Sequence, residues 1–196
     1  MMQRLCISFL AGLALLGSAP AQVEPLFGAR QVALSPDGSQ IAFVYFGDIW
    51  VASSGGGRAV PITQNIEMDE TPVWSPDGTQ IAFTTNRFGG RDIMVASVEG
   101  GMPKRVTFHP GADNLSDWTP DGKGLYFNAN REKAEGGVYR IDIATGQIRE
   151  IALDFVALSG AVVSPDGKDL VAMRLGFPWY RPRYEGSAAA DLVRID

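Results

Sequence analysis

Short apolar runs bounded by turn-forming residues follow one another along most of the chain. Val32-Ala33-Leu34 runs into Ser35-Pro36-Asp37-Gly38, and residues 41–46 follow it, rich in β-formers and apolar on both parities. That pattern predicts a strand covered on both faces rather than a sheet with one wet side. Gly47-Asp48 breaks the run. Ile49-Trp50-Val51-Ala52 reads as a third strand, residues 54–57 as a glycine-rich turn, and residues 59–63 as a fourth strand with polar edges. Pro61 lacks an N–H, which places that strand at the edge of its sheet.

The same plan recurs. Ser75-Pro76-Asp77-Gly78, Thr119-Pro120-Asp121-Gly122 and Ser164-Pro165-Asp166-Gly167 copy the first turn, with starts 40, 44 and 45 residues apart. Proline presets φ at the second turn position, aspartate suits the third, and glycine takes the positive φ that reverses the chain. Each copy therefore predicts a hairpin tip. Pro72-Val73-Trp74, Asp117-Trp118 and Ala161-Val162-Val163 enter the later tips. Ile81-Ala82-Phe83, Leu125-Tyr126-Phe127 and Leu170-Val171-Ala172-Met173 leave them. Four short strands in about 40 residues predict an all-β fold, a β-propeller built of WD40-like repeats. Four blades are expected, over residues 31–71, 72–115, 116–159 and 160–196. The fourth runs out after its third strand, so the expectation is an incomplete ring and a fragment of a longer chain.

Composition adds an address. Arg4 precedes an apolar stretch at residues 5–16, and Ala19-Pro20-Ala21 is a small-x-small site. Residues 1–21 thus read as a cleavable secretory signal peptide, with the propeller fragment over 22–196 and a periplasmic or secreted destination. The apolar stretch is short of a membrane span, and no later stretch is long enough. The single cysteine, Cys6, falls inside the signal, so the mature chain has no thiol for disulfides, nucleophilic attack or metal binding. The net charge of −5 argues against nucleic acid as a partner.

Candidate chemistry is sparse. His109, the only histidine, precedes Pro110 in a loop between blades and has no nameable catalytic partners. Neither a catalytic residue nor a metal site nor a cofactor site is expected. One histidine without cysteine cannot supply a zinc site, and turn chemistry already accounts for Asp37, Asp77, Asp121 and Asp166, which belong to separate tips. Asp69, Glu70, Asp113 and Asp117 read as solvated loop charges. Trp50, Trp74 and Trp118 read as packing residues of the blades. The fourth repeat departs from the rest through a long insertion at residues 176–187. Its Trp179, Tyr180, Arg181, Arg183 and Tyr184, with Arg174 nearby, form the candidate contact surface for a peptide or a protein domain. Guanidinium stacking that merely pins the loop is the other reading of the same residues.

The cadence of Ser-Pro-Asp-Gly, Ile-Ala-Phe, Asp-Ile-Trp-Val and Gly-Gly resembles the bacterial TolB-type propeller repeat. Residues 43–51, residues 100–110 and the insertion with Pro178-Trp179-Tyr180-Arg181 are similar to the start of secreted tricorn-like serine peptidases. The resemblance covers essentially the whole chain after the signal. It implies proteolysis by a hydrolase in which propellers precede a PDZ domain and a serine-peptidase catalytic domain, both beyond residue 196. The propeller would then gate or recognise peptides and dock the downstream domains. A TolB-like periplasmic binding propeller without catalysis is the alternative, as is the propeller of a prolyl oligopeptidase-like enzyme or an amidohydrolase. Oligomeric state is left open.

Overall fold

The computed structural model describes residues 27–131, 136–153, 158–174 and 191–195. Fifteen strands lie among them, paired antiparallel in sequence order into four sheets. The first blade is β1 (Arg30–Leu34), β2 (Gln40–Tyr45), β3 (Asp48–Ser53) and β4 (Val60–Pro61). The second is β5 (Asp69–Trp74), β6 (Gln80–Thr85), β7 (Asp92–Ser97) and β8 (Lys104–Arg105). The third is β9 (Asp113–Trp118), β10 (Gly124–Ala129), β11 (Gly137–Asp142) and β12 (Ile148–Leu153). The fourth, among the described residues, is β13 (Leu158–Val163), β14 (Leu170–Arg174) and β15 (Asp191–Ile195). This is the all-β propeller architecture that the repeat predicts.

Each tip satisfies itself. The glycine N–H donates to the carbonyl of the serine or threonine three residues before it (Gly38 to Ser35, 2.9 Å), and all four tip glycines have φ between +67° and +73°. The turn hydroxyl donates to the aspartate Oδ1 at 2.6–2.7 Å, and accepts the N–H that opens the next strand. The Ser35 hydroxyl, helped by Ser39, holds the Asp37 carboxyl down to about 2. Asp77, Asp121 and Asp166 are lowered in the same way, chiefly by Ser75, Thr119 and Ser164. The tips are not separate, however. A Cβ on Gly78 would lie 3.8 Å from Pro36, one on Gly122 3.9 Å from Pro76, and one on Gly167 3.3 Å from Pro120. Pro36, Pro76 and Pro120 are thus each seated against the glycine of the next tip.

Those opening strands, β1, β5, β9 and β13, pack successively on one another. Trp74 Nε1 donates to the Ala33 carbonyl (3.1 Å) and Trp118 Nε1 to the Val73 carbonyl (3.0 Å), so each tryptophan reaches back one blade. Val163 occupies this place in the fourth blade, and its N–H is accepted instead by Asp117 Oδ2 at 3.4 Å. Trp50 does not belong to this series. It lies in β3, is half-buried, and its Nε1 donates to the Tyr45 carbonyl of its own hairpin.

The cores sit between blades, not within them. Ala42, Val44, Ile49 and Val51 of the first blade meet Trp74, Ile81, Phe83, Met94 and Ala96 of the second. Ala82, Ile93, Val95 and Val106 then meet Trp118, Leu125, Phe127, Tyr139 and Ile141 of the third. The Ile-Ala-Phe run explains the fit. Its large residues face the preceding blade, and its alanine leaves room on the other side for the large residues of the next. Leu34 stands where Trp74 and Trp118 stand and is 60% exposed, while Leu192, on the fourth blade's third strand, is 79% exposed.

Two local features differ from the apolar pattern. Phe46 is not in a strand: with φ +50° it forms, with Gly47 at φ +87°, the two-residue turn between β2 and β3, and it is 88% exposed. Two successive positive φ values give a type I′ turn, whose twist suits a two-residue hairpin. Every opening strand also carries a register shift, and at this point in β5 Thr71 has φ +55°. A β-branched residue is strained there. Thr71→Gly should therefore gain about 0.5–1 kcal/mol, the relief of the left-handed conformation less the added entropy of an unfolded glycine. Urea unfolding checks this, and a lower midpoint would refute the strain.

Candidate functional site

The tips occupy one end of the strands. The turns between second and third strands and the connections between blades occupy the other. Large exposed apolar side chains gather at that second end: Phe46, Ile66, Met68, Phe88 and Phe108. Ile66 and Phe108, in successive interblade connections, are 97% and 69% exposed. A Cβ on Gly47 would lie 3.8 Å from Met68 Cγ, so the Phe46 turn sits beside Met68. Phe88 and Phe108 hold the Arg105 guanidinium between them, 3.9 and 4.7 Å from the ring centroids. Arg105 is fixed further by Asp92 Oδ2 at 2.9 Å and by its Nε donating to the Thr107 carbonyl. Within this aromatic–arginine stack the Arg105 side chain is 25% exposed.

A groove of about 670 Å³ opens beside the stack at the outer rim of the first blade junction. It is lined by Asn65, Ile66 and Glu67 of the connection between blades, by Met102, Pro103 and Arg105, and by Arg87, Phe88 and Met94. The next junction carries its counterpart, about 480 Å³, lined by His109, Arg131, Tyr139, Ile148 and Glu150. His109 Nδ1 accepts the Gly111 N–H at 3.0 Å. The two recesses share a repeat position but not their chemistry: Glu150 stands where Arg105 stands.

Beneath both grooves lie charges that do not behave as solvated loop residues. Asp69 and Asp113 open β5 and β9 and have no exposed surface. Asp69 pairs with Arg87 and Asp113 with Arg131, each arginine lying 18 residues downstream. Arg131 grips Asp113 with two bonds, Nε to Oδ1 at 3.2 Å and Nη2 to Oδ2 at 2.6 Å, and stacks over Phe127. Burial pushes the Asp113 carboxyl above its ordinary range, with Arg131 opposing it. Asp117 is half-buried and raised by burial as well. Glu70 pairs with Arg91 at 3.2 Å, and this pair, unlike the two buried ones, is partly exposed to solvent. The spacing Asp-x17-Arg, present twice, is the signal that the apolar pattern does not reveal.

Trp179, Tyr180, Arg181, Arg183 and Tyr184 lie outside the described residues, as does the signal segment. Arg174, at the end of β14, pairs with Asp191 at the start of β15 (2.7 Å) across the base of that insertion. Among the described residues no three histidine, cysteine or acidic side chains come together as metal ligands, and no helix is long and apolar enough to cross a membrane.

The repeat and its sheet order agree with one family. Residues 29–196 match the model of the tricorn protease N-terminal β-propeller domain. The chain belongs to that family. TolB from Acinetobacter baumannii superposes with a TM-score of 0.71 at 25% identity, over 85% of this chain and 40% of that one. The tricorn protease superposes at 0.59 and 15% identity, over 88% of this chain and 17% of that one, a likeness of fold alone. Among curated proteins, the uncharacterized peptidase YuxL of Bacillus subtilis (strain 168) is 34% identical over 65 residues, 28% of this chain and 10% of that protein. The tricorn-type propeller chain thus spans well under two thirds of these relatives' length.

Proposed function

We propose that this tricorn-type propeller is the leading domain of an exported serine peptidase, where it receives polypeptide and docks downstream domains without cutting peptide itself. The observation that carries this reading is the cluster of exposed apolar side chains at the loop end, Phe46, Ile66, Met68, Phe88 and Phe108. Exposed apolar groups gathered on one surface mark interaction sites. Export rests on the signal reading of residues 1–21, and the peptidase and PDZ regions on the family.

The test uses the purified chain and a labelled, unfolded polypeptide rich in apolar residues. Binding by fluorescence anisotropy should weaken at least about tenfold in a Phe46→Ser, Ile66→Ser, Phe108→Ser variant, with no hydrolysis by either protein. Equal binding by the variant would remove the surface from consideration, and turnover by the purified chain would overturn the division of labour. The TolB likeness favours a second reading, a non-catalytic binding propeller. The coding sequence beyond residue 196 separates the two: a serine-peptidase core supports the first, an early stop once the propeller closes supports the second.

A further inference from the structure

One row of side chains in the second blade is built differently from its repeat counterpart. Asp69, Thr85 and Asp92 are direct cross-strand partners on β5, β6 and β7. Such partners point to the same face, with Cα atoms about 4.5–5.5 Å apart. All three are at most 1% exposed. Asp69 gives Oδ2 to Arg87, and Asp92 gives Oδ2 to Arg105. Asp69 Oδ1, Thr85 Oγ1, Asp92 Oδ1 and Arg87 Nε make no hydrogen bond among the described residues. Leaving a buried polar group unpaired costs about 1–3 kcal/mol each, so four together require a partner.

The third blade supplies the internal comparison. There Ala129 and Gly137 take the places of Thr85 and Asp92, and Arg131 closes directly on Asp113 with both Nε and Nη2. In the second blade the arginine uses only Nη2, and the Nε–Oδ1 half of the fork is open. The open atoms count out to a specific ligand. Two are donors, the Arg87 Nε–H and the Thr85 hydroxyl. Two are carboxylate acceptors. A water molecule has two lone pairs and two hydrogens and satisfies all four at once. A metal cation cannot accept the two donated hydrogens, and an anion is repelled by the two carboxylates. Two aspartates against two arginines leave the row neutral, which removes the drive for either ion.

We infer that Asp69, Thr85, Arg87 and Asp92 enclose a single structural water bound by four hydrogen bonds beneath the rim groove of the second blade. It completes the fork that Arg131 closes unaided and couples Arg87 to the Asp92–Arg105 pair, so it fixes the arginine that carries the Phe88–Phe108 stack.

A crystal structure of the whole chain at about 1.5 Å tests this, together with the Thr85→Ala and Thr85→Ser variants. The expected result is one isotropic density peak at hydrogen-bond distance, about 2.6–3.2 Å, from all four atoms. It should persist in Thr85→Ser and be lost or displaced in Thr85→Ala, with Arg87 moving to two-bond contact with Asp69. Replacing sodium by choline in the buffer should leave the thermal midpoint unchanged. Direct two-bond closure of Arg87 on Asp69 in the unaltered protein would overturn the inference. So would a peak with contacts near 2.4 Å and a sodium-dependent midpoint, which means a cation.

Discussion

Replacing Arg131 by methionine should destabilise the fold by about 3–5 kcal/mol at neutral pH, the range for stranding a buried carboxylate. Methionine keeps apolar bulk over Phe127, so most of the loss is electrostatic. Asp113 has no exposed surface and, among the described residues, no other guanidinium bonded to it. Its carboxyl is already raised from 3.8 by burial while Arg131 opposes the shift, and removing the arginine raises it further. A carboxyl whose folded pKa exceeds its unfolded value binds protons more readily when folded. Its contribution to stability is therefore complete below 3.8 and is lost as pH rises through the folded pKa. The deficit of the variant against the parent protein should accordingly be largest near pH 7 and shrink as pH falls toward about 4. Urea midpoints at the two pH values measure it. A deficit that stays constant with pH would mean that Asp113 is not the group left stranded, and Asp113→Asn added to the variant should recover part of the loss.

Trp118→Ala should cost a similar amount, about 3–5 kcal/mol. Trp118 is 2% exposed, and its indole lies in the core shared by the second and third blades while its N–H holds the Val73 carbonyl at 3.0 Å. Trp118→Phe separates the two contributions. It keeps much of the apolar volume but drops the N–H, and should cost about 1–2 kcal/mol. Against a total of about 5–15 kcal/mol for an ordinary domain, the alanine variant should be near unfolding at moderate urea, followed by circular dichroism. A loss below about 1 kcal/mol would show that the blades stand without mutual support, contrary to where the cores lie.

Much of this architecture is legible in the sequence because turn chemistry is local. The Ser-Pro-Asp-Gly tips announce themselves through proline, aspartate and glycine, and all four tip glycines take the predicted positive φ. Pro61 at a sheet edge is read from the same kind of local rule. What escapes is settled at a distance. Asp69 and Asp113 look like solvated charges until the arginines 18 residues later are folded against them. Phe46 looks like strand because it continues an apolar run, but the positive φ of a two-residue turn outweighs its propensity. Trp50 shares residue type with Trp74 and Trp118 but not repeat position, so composition misleads where register decides. The Arg105 stack, the centre of the candidate surface, joins aromatics from two connections that carry no shared motif.

The backward-reaching bonds between opening strands also bear on how the length of the chain affects its folding. Gln31 and Thr71 are 40 residues apart, Ala33 and Trp74 41, Val73 and Trp118 45, and Asp117 and Val163 46. Loop-closure entropy grows only with the logarithm of such separations, about 0.6 kcal/mol per doubling. Here the separation does not double from blade to blade; it stays near one repeat. Each new blade therefore meets the same closure penalty as the one before it, and the contact order of the array is set by the repeat rather than by the number of residues.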